Sequence, residues 1–322
     1  MSFYLHNRPF FKVVRQLVMS VLIPKLVYAI PFIQYPFSLS HRMMRQMKRL
    51  IIYPLRRSLG LPNNAHHDSI FIESRVLPLQ YMLVYHSILF ARRYISQAST
   101  PHEQQQRHTD IFVTRPLLAH VARSHPLTLI STRCQSISHP LTATLASLQH
   151  ATSKQLWSMV FNHFYQQWYT SQHPSNPHPD PHSLFPCYIH APSCTDIPIP
   201  SYLSQLHPSL SSIVSRLRFN RARLNQSLFK RTCIDTDICS TCGNNTVETV
   251  EHVLMWCPRY DSIRFHCFCD LSAITGIPPL RSSFVFPFLL CCFPASIPES
   301  MHARLISRIS LFLKQLQHMR DM

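Results

Sequence analysis

Apolar positions recur at helical spacing along most of this chain, and Pro-rich stretches interrupt them. The sharpest case is SHRMMRQMKRLIIYPLRRSLGL. At 100° per residue, Met44, Met47, Ile51 and Leu55 fall in one stripe, and Arg42, Arg45, Arg49 and Arg56 fall in another. Ser40 stands at the N-cap position of this helix, and Pro54 predicts a kink near its end. Residues 13–37 are apolar apart from Arg15 and Lys25, and a further helix is expected over about Leu79 to Tyr94. In SKQLWSMVFNHFYQQWYT, Trp157, Phe161, Phe164 and Trp168 recur at helical spacing and read as a core stripe. Leu305, Ile309, Phe312, Leu313 and Leu316 form one face of a terminal amphipathic helix. The apolar run Phe284 to Ala295 is too short to span a bilayer and holds internal Pro, so it is expected to be buried in protein, with no membrane partner.

Between these segments the pattern lapses. Residues 97–149 are rich in Ser, His, Thr and Gln without a sharp motif, and SQHPSNPHPDPHSLFP reads as a Pro- and His-rich linker. The chain has 322 residues, enough for one large or two modest domains, and its 46% hydrophobic content supports a real core. Only 3 Gly stand against 26 Pro. That argues against Gly-rich phosphate loops and a doubly wound nucleotide-binding fold, which need Gly where the backbone approaches a ligand. A mainly α fold with Pro-rich connections is expected.

Lys and Arg outnumber Asp and Glu by 31 to 14, and the excess is unevenly placed. Ten Lys or Arg precede the first acid, Asp68, and six more lie in the acid-free stretch between Asp196 and Asp235. Such blocks attract polyanions, with nucleic acid the usual partner; the alternative is a solvated basic face without one. Arg42, Arg45, Lys48 and Arg49 in the first block and Arg216, Arg218, Arg221 and Arg223 in the second are the candidate phosphate contacts to RNA or DNA. The N-terminus MSFYLHNRPF lacks a secretory layout, so the 11 Cys are expected to be intracellular thiols, in the nucleus or cytoplasm, and partly metal-bound.

The segment CSTCGNNTVETVEHVLMWCPRY carries the clearest chemistry. It sets Cys239, Cys242, His252 and Cys257 as C-x2-C-x9-H-x4-C, a Cys3His set suited to one structural zinc ion. Gly243 permits a tight turn after the second Cys, and Asn245 and Glu248 stand in capping-box positions for a helix over Val247 to Met255. Pro258 disfavours helical geometry at Cys257 and lets the chain turn back to the metal. Four protein ligands leave no open position for water, so a structural role is expected. Cys233, His266, Cys267 and Cys269 are nearby alternatives without the paired turn.

The string from Leu217 to Tyr260 resembles the zinc-binding region near the C-terminus of non-LTR retrotransposon reverse transcriptases. An L-R-x-x-x-x-x-L-N stretch is present as Leu217, Arg218, Leu224 and Asn225, and E-T-V-E-H-x-L-x-x-C-P-x-Y as Glu248 to Tyr260. Trp157 and Trp168 resemble the W-rich helix that lies ahead of it. SVLIPKLVYAIPFI, the basic helix ending in SLGLP, and ESRVLPL are similar to the thumb that follows the palm, although Ala29 stands where the family has Gly. The resemblance implies a thumb-like helical region at 1–98, a variable helical region with the Pro/His-rich linker at 99–200, a zinc-binding domain at 201–270 and a C-terminal helical segment at 271–322. It also implies nucleic-acid association and zinc at the four named residues.

The family's polymerase needs carboxylates for two Mg2+ ions, typically in a Y-x-D-D turn. No two acids are adjacent anywhere in this chain, and only Asp235 and Asp237 are two apart. The chain is therefore expected to have no catalytic residues and no enzymatic activity. Three readings follow: a zinc-stabilised nucleic-acid-binding module, a part of an active RNA-directed DNA polymerase whose palm is encoded upstream and is its partner, or a relic without selected function.

Overall fold

The structure, a computed structural model, describes residues 10–28, 41–98, 151–172, 200–243, 245–277, 282–293 and 296–320. Ser40 as an N-cap, the stretch 99–149 and the Pro/His-rich linker from His173 lie outside these residues. What is described is mainly α, and the one β feature among the described residues is an antiparallel bridge between Ile238 and Val247.

The helices follow the apolar periodicity. α1 (Phe11–Leu17) and α2 (Ile23–Tyr28) are joined by a π turn, Val18–Leu22. α3 (His41–Ser58) runs through Pro54. It buries Ile51, Ile52 and Leu55, while Met44 and Met47 are half-buried and Arg42, Arg45 and Arg49 are exposed. α4 (His67–Ser74), α5 (Leu79–Ala98) and α6 (Ser153–Gln172) follow. Beyond the linker come α7 (Tyr202–Gln205), α8 (Pro208–Arg218), α9 (Asn225–Phe229), α10 (Asp261–Thr275), α11 (Ser282–Leu289) and α12 (Glu299–Met319).

The described residues fall into two compact units whose segments interleave along the chain. One holds those within Gln16–Ile52 and Arg75–Ser171, the other those within Met1–Arg15, Tyr53–Ser74 and Gln172–Met322. In the first unit α2 packs on α5. The aromatic stripe of α6 meets α5: Tyr81 lies 5.1 Å from Phe164, and Tyr85 stands edge-on to Trp157 at 5.2 Å. Phe161, Phe164 and Trp168 are buried, so the stripe is core, with Trp157 half-exposed at its end.

In the second unit α10 packs along α12, and α8 and α7 contact α12 as well. Leu305, Ile309, Phe312, Leu313 and Leu316 of α12 are all buried, as their spacing predicts. The run Phe288–Cys291 is buried too, and no helix among the described residues is long and apolar enough to cross a membrane.

A buried ion pair ties α4 to α8. Glu73 and Arg218 are 0% and 2% exposed, with Arg218 Nε 2.8 Å from Glu73 Oε1 and Nη2 donating to Oε2 at 3.0 Å. Arg218 Nη1 also donates to Leu290 O at 2.8 Å. The Tyr202 hydroxyl donates to Glu73 Oε1 and shares a 3.1 Å hydrogen bond with Ser215 Oγ. Burial and the Glu73 charge push the Tyr202 phenol well above its ordinary value, so it stays a donor. Burying both charges costs desolvation, and the cluster survives because each is paired and further hydrogen-bonded.

Removing one partner leaves the other charge buried alone. Glu73→Ala is expected to lower stability by about 3–5 kcal/mol, read from the urea midpoint. Replacing both groups with Leu at 73 and Met at 218 should recover most of that loss. Equal losses in both variants would show that shape, and not the orphaned charge, sets the cost.

Candidate metal centre

The four motif residues converge from two local devices. In the first, a reversal of the chain spans Asp237 to Glu248. Cys239 N donates to Thr246 O at 2.8 Å and Glu248 N to Asp237 O at 2.8 Å, on either side of the Ile238–Val247 bridge. The turn itself is closed by Gly243 N donating to Cys239 O at 3.0 Å and Thr246 N donating to Gly243 O at 2.9 Å. Gly243 has φ +58°, and a Cβ there would touch nothing within 4 Å. Backbone conformation, not room, is what requires Gly at this point.

The second device is a π turn, His252–Trp256, closed by Cys257 N donating to His252 O at 2.7 Å. At 3.6 residues per turn, residues five apart sit about 140° from each other around an α-helix. An i→i+5 closure takes up the extra residue and brings Cys257 back beneath His252. Cys257 then leaves the helix at φ −68°, ψ 120°, as the following Pro258 requires.

The expected capping box is not formed. Asn245 occupies a left-handed turn at φ +57°, Val247 is held in the bridge to Ile238, and the helix has not begun at Glu248. The cap is Thr249, whose Oγ1 accepts from His252 N at 2.9 Å. Glu248, 1% exposed, accepts instead from Asn225 N at 2.7 Å and pairs with Arg320 beyond α12. Asn225 Nδ2 donates to Ile238 O at 2.6 Å, which ties α9 to the same strand.

One donor atom from each of Cys239, Cys242, His252 and Cys257 lies within 4.8 Å of the others. Cys242 Sγ is 3.4 Å from His252 Nε2 and 3.8 Å from Cys257 Sγ, and Cys239 Sγ is 3.9 Å from Cys257 Sγ. This is a Cys3His group fit to hold a metal ion. Cys233 and Cys269 are exposed and outside it, and burial, with the Asp270 charge, pushes the Cys267 thiol up to about 12.

The electrostatics match a ligand set. Burial lowers the His252 imidazole below its ordinary value, against the pull of Glu248 and with the help of Arg264, so the ring is neutral, the ligating form. Burial and the adjacent thiols push Cys242 up to about 12. Burial also raises Cys257, whereas at Cys239 it is outweighed by the Cys242 and Thr241 N–H groups, which pull the thiol down. Three thiols this close resist ionising together, and a bound divalent cation reverses that balance.

Arg264 supports the centre from α10. Its guanidinium, 6% exposed, donates to Leu254 O at 3.0 Å, Val253 O at 3.4 Å and Cys257 O at 2.7 Å, and pairs with Asp261 at 2.5 Å. It thereby supplies donors to Val253 O and Leu254 O at the end of the π turn and a second donor to Cys257 O, which also accepts from Tyr260 N at 3.1 Å. Sequence pattern does not single out Arg264 or Arg320, because nothing local separates an arginine that pairs within the fold from one displayed to solvent in a basic chain.

The candidate phosphate contacts divide. Arg42, Arg45 and Arg49 are exposed on α3, and Lys48 is half-buried. Arg223 is exposed, and Arg216 and Arg221 are half-buried. Arg218 is set apart from them: its guanidinium is 2% exposed and paired with Glu73 inside the fold.

Cys242→Ser is expected to abolish stoichiometric metal binding and unfold 237–260 locally, because metal-binding energy here is folding energy. Arg264→Met should keep the ligands yet weaken metal retention by roughly 10–100-fold against a chelator, the range seen when supporting contacts of metal ligands are lost. Unchanged retention in both variants would show that the four side chains hold no metal.

No family model matches the chain, and no curated protein or solved structure matches it either.

Proposed function

We propose that this chain is a zinc-stabilised, nucleic-acid-binding portion of a non-LTR retrotransposon reverse transcriptase that carries no polymerase centre of its own. The observation that carries the reading is the convergence of Cys239, Cys242, His252 and Cys257 within 4.8 Å, inside the very string that resembles that family. Zinc suits the set. With Zn–S bonds of about 2.3 Å and Zn–N bonds of about 2.0–2.1 Å, a tetrahedron has S···S edges near 3.8 Å and S···N edges near 3.5 Å. Three of the six donor spacings, 3.8, 3.9 and 3.4 Å, fall close to those edges, and all six lie within 4.8 Å. When bound, such an ion supplies cross-linking of the hairpin to the π turn, and no reaction is assigned to it.

Nucleic-acid binding rests on charge. Arg42, Arg45 and Arg49 point to solvent along α3, in a stretch without a single acid before Asp68. Such a face favours phosphates and carries little base specificity. The sequence holds no adjacent acidic pair to seat two Mg2+ ions, so polymerase chemistry is not assigned to it.

Purified under reducing conditions, the chain is expected to carry about one zinc by elemental analysis, the number a closed Cys3His set holds. Less than half an equivalent would remove the zinc reading. On a primed RNA template with Mg2+ the chain should show no template-directed extension. Changing Arg42, Arg45 and Arg49 to Gln should weaken binding on every sequence and flatten log affinity against log salt by about 0.9 per lost phosphate contact on duplex DNA. An unchanged slope with an intact fold would reduce this face to a solvated one.

A further inference from the structure

The last turns of α3 set an aromatic ring among arginines. Tyr53 is 54% exposed, whereas Ile51 and Ile52 just before it are 0% and 2% exposed. Arg56, three residues on, holds its guanidinium carbon 5.6 Å from the ring centroid. Arg57, four residues on and exposed, donates from Nη1 to the Tyr53 hydroxyl at 3.1 Å. Among the described residues the Arg57 side chain makes no other hydrogen bond, so most of its fork faces solvent. The hydroxyl that accepts from Arg57 keeps its own proton for another acceptor.

The positive charge continues past the helix. Arg56 Nη1 donates to Asn63 O at 3.1 Å and Arg221 Nη2 to Asn64 O at 3.4 Å, so the two grip neighbouring peptide units of one loop. Arg216 Nε donates to Gly60 O at 3.0 Å, where that loop begins. All of these residues belong to the second unit, and residues 53–67 and 197–234 hold no acid. Cations in the last turn of α3 are favoured by the helix dipole, which accounts for Arg56 and Arg57. It does not account for the ring held half-open between them, nor for two further arginines brought to the same loop against like-charge repulsion. Such a field suits a polyanion, and a ring within it suits a polyanion that carries flat apolar faces. An unpaired base on a phosphate backbone has both features, whereas a duplex keeps its base faces inside the stack.

We propose that Tyr53 is a stacking platform for one unpaired base of single-stranded nucleic acid, with Arg56 bracing the ring and Arg57 meeting the adjacent phosphate. This rests on the proposed function and adds to it the class of strand, single and not duplex. Nothing in the sequence sets Tyr53 apart from the buried Ile51 and Ile52 beside it, so only its exposure brings it forward.

The test measures binding of the full chain to a single-stranded oligodeoxythymidylate and to a blunt DNA duplex of equal length. Tyr53→Ala should weaken the single strand by about 5–150-fold, the range of base–aromatic stacking, and the duplex little. Its slope of log affinity against log salt on the single strand should match the parent, since stacking neutralises no phosphate. Arg57→Gln should lower that slope by about 0.7. Tyr53→Trp should restore single-strand binding without the hydroxyl. Because Tyr53 is exposed, these variants should melt with the parent; should Tyr53→Ala fold poorly, Tyr53→Gln takes its place. Equal losses on strand and duplex, or no loss on the strand, would overturn the platform and leave the proposed function standing. A parent that binds neither ligand would sink the proposed function, and this inference with it. Binding to phosphatidylserine vesicles that depends on Tyr53, with no effect of Tyr53 on the strand, would overturn the nucleic-acid assignment and give this face to anionic lipid.

Discussion

The hydrogen bond from Cys257 N to His252 O is a single 2.7 Å contact on which the metal centre depends. It forces an extra residue into the last helical turn, and that residue decides where the fourth ligand goes. Without it, Cys257 would face away from Cys242, and the Cys239–Cys242 turn would have only His252 to meet. Arg264 donates to three carbonyls of this turn and its exit, Leu254 O, Val253 O and Cys257 O. Because Arg264 sits on α10 and α10 packs along α12, the geometry of the ligands is anchored in the largest helical contact of this unit.

Arginine, buried or half-buried, is the recurring partner of polar groups in this unit. Arg218 answers Glu73, Arg320 answers Glu248, and Arg264 answers a set of carbonyls and Asp261. A planar fork with five donors can satisfy several acceptors at once, which a lysine cannot. A basic composition therefore serves two ends here: part of the charge is used inside the protein, and only the remainder is displayed. The stretch that precedes the metal motif shows both within a few residues, with Arg218 buried and Arg223 exposed.

This division explains what could be read from the sequence. Helical period placed α3, α5, α6 and α12 and named the buried faces of α3, α6 and α12, since periodicity reports which side meets the core. Spacing named the four ligands, because metal geometry is local and Gly243 and Pro258 are local signals. The capping box failed because Glu248 had a stronger use elsewhere, as acceptor for Asn225 and Arg320. The pairing of Arg218 was not legible for a related reason: its partner Glu73 lies 145 residues away. The residues that carry the family resemblance at 217–225 are in fact ties of the fold, with Leu217 and Leu224 buried and Asn225 bonded to Ile238 beside Cys239.

The same separation sets a timetable for a chain emerging from the ribosome. At about 5–20 residues per second, Glu73 waits roughly 7–30 s for Arg218 to be made. Throughout that interval α4 carries a carboxylate whose final surroundings do not yet exist. The four metal ligands, by contrast, lie between Cys239 and Cys257 and are all exposed to solvent within about a second or a few of one another. The metal centre can close as soon as it appears, while the unit around it must be assembled from segments made early and late. Nascent chains of this protein therefore carry a long-lived window in which α4 is available to chaperones, and a short one in which the thiols are open to oxidation.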